Sequence, residues 1–238
     1  MLTALRSLLF VILQAVLTVV WSLLSMFTLP LSPMARYRFI SIWARMVVWL
    51  AKWICGVRYQ VRGLENLPAR PSVVLAKHQS AWETLVLQVV LPPQVWVLKR
   101  SLLKVPFFGW ALALTSPIAI DRAAGMRALK QTLEQGRDRL ARGFWIVVYP
   151  EGHRHAPGAQ TTYHVGGAWL AAQTGAPVVP VAHNAGYLWP RDSFLKRPGT
   201  ITLSIGPPID PAGMKAEELN ARVRAWIEEE VQRLGVPR

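Results

Sequence analysis

From Ser7 to Ala35 the chain carries no charged side chain. The heart of this run, "SLLFVILQAVLTVVWSLLSMF", matches the ~20 apolar residues that a helix needs to cross a bilayer. A run of this kind makes a membrane the first partner to consider. The composition agrees, with 52% hydrophobic residues and a mean hydropathy of +0.26 over 238 residues. That length allows one sizeable core plus an attachment. A secretory signal peptide has a shorter apolar region and a small-residue cleavage site. No such site follows here. Two forms stay open: a helix that spans the bilayer, and one that enters a single leaflet and returns. The second draws on "LPLSP" at residues 29–33, which breaks the helix.

The charge pattern extends this reading. The net charge is +14, and seven basic residues precede Glu65, the first acidic one. Such a balance suits nucleic acid, anionic lipid or an anionic substrate. No nucleic-acid motif follows, and the basic segment is apolar, so anionic lipid is the expected partner and nucleic acid is not. In "RFISIWARMVVWLAKWICG", Arg38, Arg45 and Lys52 recur every seven residues and share one helical face. Trp43, Trp49 and Trp53 suit the headgroup boundary. The expectation is a basic amphipathic helix on anionic lipid, so that residues 1–57 form membrane-attachment helices.

Residues 58–238 read as one α/β domain. "RYQVRGLENLPAR" (58–70) looks like a short strand and a turn. Strands are expected at 72–76, 94–99, 116–121, 144–149, 177–183 and 200–206. Helices are expected at 81–91, roughly 123–142, 164–174 and 214–234. Met126, Leu129, Leu133 and Leu140 form a stripe on one helix; Leu219, Val223, Ile227 and Val231 form one on the last. Both stripes are expected to face the core. The alternation predicts a mixed or largely parallel sheet flanked by helices, preceded by a hydrophobic two-helix membrane element. The single cysteine, Cys55, excludes an internal disulfide and fits a reducing compartment.

One stretch carries chemistry: "AKHQSAWETL", residues 76–85. "SAWE" is the capping-box pattern, in which Ser80 caps a helix and Glu83 reaches back to the Ser80 N–H. The same spacing puts His78 on a loop between a strand and a helix, a common site position in open α/β sheets. Glu83 would then hold one ring nitrogen and leave the other for a substrate hydroxyl, a general-base pair that needs no protein nucleophile. Ser80 lies too near His78 in sequence for a Ser-His-Asp nucleophile.

The company of this stretch is informative. "HQSAWE" is followed in order by "KVPFFGW" (104–110), "SPIAIDR" (116–122), "VVYPEGHR" (147–154) and "GAPVVPV" (175–181). The set resembles the glycerolipid acyltransferase family, in particular its lysophosphatidate (1-acyl-glycerol-3-phosphate) branch, over about residues 58–206. The resemblance implies that His78 activates the acceptor hydroxyl and that Glu83 orients it. It implies that Arg154, Arg122 and Lys99 meet the acceptor phosphate. A phosphate monoester wants a fork-shaped donor and converging positive charge. Glu151 and Gly152 match the loop that shapes the site, and Pro180 matches the last motif.

The sequence departs from the family pattern in three places. Glu83 stands where aspartate is usual, His153 and His155 replace small hydroxyl residues, and His164 replaces a lysine. His153, His155, His164 and His183 lack a compact ligand spacing, so no metal site is expected. The expected reaction moves a fatty acyl group from acyl-CoA or acyl-carrier protein to a lysophospholipid, forming phosphatidate, with no cofactor beyond that co-substrate. The expected location is the inner membrane, with the site facing the cytoplasm. A related enzyme with another lyso-lipid acceptor, or a catalytically silent binder of anionic lipid, stays open. So does the oligomeric state.

Overall fold

The computed structural model describes residues 1–121 and 125–237. Seven short strands form one sheet: β1 (Val57–Arg62), β2 (Val73–Ala76), β3 (Gln94–Lys99), β4 (Ile118–Ile120), β5 (Trp145–Val148), β6 (Val178–His183) and β7 (Gly199–Ile205). Their order across the sheet is β1-β7-β6-β2-β5-β3-β4. All neighbours run parallel except β6 and β7. The central strands β2 and β6 are buried along their whole length, as strands covered on both faces must be. This is the mostly parallel, helix-flanked sheet that the alternating pattern predicts.

The connections place the site. β2 leads through α4 (Trp82–Val90) to β3, which lies beyond β5. β5 leads through α7 (Gly166–Thr174) to β6, which lies beyond β2. The two chains therefore leave adjacent strands in opposite directions. Right-handed crossovers then put α4 and α7 on opposite faces. A crevice opens where they part, at the C-terminal ends of β2 and β5. α5 (Phe108–Leu114) follows β3, α6 (Met126–Ala141) precedes β5, and α8 (Ala216–Leu234) packs on β6 and α7.

α6 bears out the expected stripe only in part: Leu133 and Leu140 pack against the core cluster. Met126 is exposed and Leu129, Leu133 and Leu140 are only partly buried. The buried line is Ala128, Thr132 and Gly136. A Cβ at Gly136 would stand 2.7 Å from Leu170 of α7, so small residues let the two helices approach. The α8 stripe does face the core, with Leu219, Val223 and Ile227 fully buried.

The N-terminal segment is more divided than the expected pair of helices. α1 (Leu2–Met26) is followed by α2 (Pro33–Ile40), α3 (Ile42–Leu50) and a single π-helical turn, Ala51–Cys55. Ser32 caps α2 through its side chain, with Pro33 at the first helical position. α1 buries Ser7, Phe10, Ser22 and Ser25 against the domain, and its Leu, Ile and Val side chains point outward. The Lys196 N–H donates to Ser7 Oγ at 2.8 Å, and Phe10 packs edge-on against Trp189 with ring centroids 5.2 Å apart. Phe10, Ala44 and Val47 belong to the same core cluster as the sheet. Arg38, Arg45 and Lys52 are all exposed, as are Trp49 and Trp53. Trp43 is not with them: it turns inward, donates from Nε1 to Thr18 Oγ1 at 3.1 Å and packs near Phe108. A contiguous outward apolar face of this size marks a contact with lipid or protein, and here it marks a membrane-associated chain.

Because Phe10 is part of the domain core, Phe10→Ala should cost about 3–5 kcal/mol. Thermal unfolding in detergent checks this. Leu9→Ala, on the outward face, should move the midpoint little.

Candidate active site

The crevice gathers residues from three strand ends. His78 sits on the loop that carries β2 into α4. Its Nδ1 lies 2.8 Å from Glu83 Oε1. A carboxylate only accepts, so Nδ1–H donates and Nε2 is left as the basic nitrogen. The same Oε1 accepts the Gln79 N–H at 3.0 Å and the Ser80 N–H at 2.9 Å. Ser80 Oγ in turn accepts from the Trp82 N–H at 3.1 Å. The capping half of the "SAWE" pattern and the His–acid pair therefore coexist on one oxygen. Burial raises the Glu83 pKa, but His183, His78 and the Ser80 N–H together outweigh it and hold the carboxyl below its usual range.

The loop after β5 grips His78 from the other side. Its backbone N–H donates to Glu151 Oε1 at 2.8 Å, and its carbonyl accepts the His155 N–H at 2.9 Å. Tyr149 stacks on the imidazole with ring centroids 3.9 Å apart. Burial, helped by the Glu83 charge, pushes the Tyr149 phenol well above its ordinary value, so the stacked ring stays neutral. Gly152 turns the loop at φ +77°, a conformation that favours glycine.

A cavity of about 610 Å³ opens beside this pair. His78, Tyr149, Gly152 and Arg154 border it, and so do Lys99 and Arg191. Its remaining wall is largely apolar and includes Trp21 of α1, Trp43 of α3 and Phe108 of α5. The N-terminal helices thus help to enclose it. Such a mixed space suits an amphiphile with an anionic head.

Of the expected site residues, the structure brings His78, Glu83, Glu151, Gly152, Arg154 and Lys99 together here. Arg122 lies outside the described residues. Two members escaped the sequence reading, Tyr149 and Arg191, and a third, His183, entered it only in the rejected metal set. Arg191 donates to the Arg154 carbonyl and pairs with Asp192 at 2.9 Å. His183 is fully buried, with Nε2 3.7 Å from Glu83 Oε2. His183 Nε2 donates to the Lys77 carbonyl at 2.9 Å and Nδ1 accepts the Ala185 N–H at 3.2 Å.

Comparison with known proteins follows this geometry. A family model described as Acyltransferase matches residues 58–184. A 1-acyl-sn-glycerol-3-phosphate acyltransferase of Pseudomonas aeruginosa is 48% identical over 95% of this chain and 90% of its own length. One of Saccharomyces cerevisiae is 30% identical over 82% of this chain and 66% of its own. The crystal structure of a 1-acyl-sn-glycerophosphate acyltransferase from Thermotoga maritima shares the fold, with a TM-score of 0.81 at 24% identity, covering 98% of this chain and 95% of that one.

A pH prediction arises from His183. Burial holds its imidazole below the ordinary range, and Glu83 opposes this only in part. In the unfolded chain the ring takes up a proton near pH ~6.5. Below that value the unfolded state binds a proton that the native state refuses, so stability falls as pH falls and returns as pH rises. Melting midpoints of wild type should therefore drop more steeply between about pH 6.5 and 5 than those of His183→Gln. Parallel curves would refute a neutral buried ring.

Proposed function

This chain belongs to the acyltransferase family, and from that premise we propose that it acylates the 2-hydroxyl of 1-acyl-sn-glycerol-3-phosphate. The donor would be a fatty acyl thioester, acyl-CoA or acyl-carrier protein, and the product phosphatidate. The observation that carries this reading is the 2.8 Å contact of His78 Nδ1 with Glu83, at a cavity that Arg154 and Lys99 also border. The names of the relatives supply the acceptor.

In the proposed mechanism, Arg154, Lys99 and Arg191 hold the acceptor phosphate and bring the hydroxyl to His78. Arg122 joins them on the resemblance of its motif. Nε2 takes the hydroxyl proton as the oxygen attacks the thioester carbonyl. The Glu83 carboxylate stabilises the imidazolium that forms. The tetrahedral intermediate collapses, the C–S bond breaks, and the thiolate recovers the proton from His78. No acyl-enzyme is formed, and no cofactor beyond the donor takes part. Ser80 is buried and its hydroxyl is engaged by the Trp82 N–H, which supports leaving it out of the chemistry.

The attachment follows from α1. Its inner flank is docked on the domain from Ser7 to Ser25, so lipid does not surround it as it would a free span. We place it within one leaflet, with the exposed Arg38, Arg45 and Lys52 on anionic headgroups. The positive flank favours the cytoplasmic leaflet of the inner membrane. The acceptor then reaches the cavity from the leaflet that already holds it.

His78→Ala should lower kcat by about 10²- to 10⁴-fold while vesicle binding is retained. Thiol release and phosphatidate formation, measured with and without 1-acyl-sn-glycerol-3-phosphate, check this. Full activity would remove His78 from the chemistry. Arg154→Ala should weaken acceptor use by about 10-fold or more, the loss of one charged hydrogen-bonded contact. The same substitution should matter little for a neutral lyso-lipid. Equal losses on both would remove its phosphate role.

A further inference from the structure

Lys77, the residue before His78, is buried and has no part in the mechanism above. Its side chain is 3% exposed. It does not border the cavity, so it does not serve the acceptor phosphate. Its Nζ lies 3.1 Å from Glu151 Oε2 and 2.8 Å from Glu228 Oε1. Glu228 belongs to α8. The Tyr163 hydroxyl donates to the same Glu228 oxygen at 2.8 Å, and the ammonium stands 5.7 Å from the Tyr163 ring centroid. Lys77 and Glu151 are buried while Glu228 is 35% exposed, so removing either member of the Lys77–Glu151 pair leaves the other a poorly compensated buried charge.

Glu151 is the joint of this arrangement. One carboxylate oxygen meets Lys77; the other accepts the His78 backbone N–H at 2.8 Å. Glu151 therefore helps to fix the His78 main chain, together with the His155 N–H on the His78 carbonyl. Glu83 orients the ring, but it cannot correct a displaced Cα. On the reading of His78 as the base, we infer that Lys77 is a positioning residue. Through Glu151 it seats the backbone of the histidine, and through Glu228 it ties that backbone to the C-terminal helix.

The test uses the full chain in detergent micelles, with three variants: Lys77→Met, Glu228→Gln and the double variant Lys77→Met/Glu151→Gln. Two readouts are taken per folded molecule: acyl-transfer kinetics, and the ring N–H resonance of His78, assigned by its loss in His78→Ala. Lys77→Met should lower kcat by about 10- to 100-fold, because sub-ångström to ångström misplacement of a base acts on the reacting geometry. Acceptor KM should stay within about threefold, since no binding contact is lost. The His78 resonance should shift or broaden. The double variant should recover part of kcat, because glutamine still accepts the His78 N–H and no buried charge is left alone. Glu228→Gln should lower kcat in the same direction by less.

Full kcat with an unmoved His78 resonance in Lys77→Met overturns the inference. So does a double variant whose kcat is no higher than that of Lys77→Met. If Lys77→Met does not fold, unchanged kcat and resonance in both Glu228→Gln and the double variant overturn it. If no form of the enzyme acylates 1-acyl-sn-glycerol-3-phosphate, yet the His78 resonance responds to Lys77→Met, the inference holds and the proposed reaction falls.

Discussion

The site depends on one oxygen atom. Glu83 Oε1 accepts the His78 ring N–H and the backbone N–H groups of Gln79 and Ser80. The start of α4 and the direction of the imidazole are therefore a single constraint. Neither donor set can relax without disturbing the other. On this backbone an aspartate at position 83 would fall one methylene short, and the ring or the turn would lose its bond. The glutamate is thus matched to how far back α4 begins, and the departure from the usual family acid is accommodated by the geometry around it.

The rest of the site is organised around that turn by the sheet. Chains leaving β2 and β5 part in opposite directions, and the crevice between them receives both loops. The loop from β5 adds what Glu83 does not supply: two main-chain bonds to His78 and the stacked Tyr149 ring. The helices on the α4 face close the cavity, so the same helices carry the outward apolar face on one side and the cavity wall on the other. Trp43 shows this directly. It was suited by composition to the headgroup boundary, yet its indole spans from α3 to Thr18 on α1 and walls the cavity.

Much of this was legible in the sequence because its signals are local. Most strands are short runs rich in Val, Ile and Leu between turn residues, and the His–Glu pair lies only five residues apart. What was not legible depends on long-range approach. The most buried line of α6 is set by how closely α7 approaches, so small Ala128, Thr132 and Gly136 lie deepest and Leu133 and Leu140 flank them. α5 was missed because "KVPFFGW" has no helical period and begins at Phe107, whose φ is +59°. His183 closes β6, two residues beyond the "GAPVVPV" motif, but its approach to Glu83 is long-range, and Arg191 follows in a segment with nothing nearby in sequence to flag it. Lys77 did carry a signal: a lysine directly after the wholly buried strand "VVLA" needs counter-charges from elsewhere.

The pairing of β1 with β7 has a consequence for how the chain is made. Gln60 and Thr202 are joined across 142 residues, and the described strands give β1 no other neighbour. The helices that precede β1 emerge from the ribosome well before β7, the strand that completes their platform. Until then α1 lacks the Lys196 partner of Ser7. A lipid leaflet can shelter its leucine-rich side throughout this interval. Contacts of such separation close slowly. On the attachment proposed above, the outward face of α1 can therefore meet lipid before the sheet is complete.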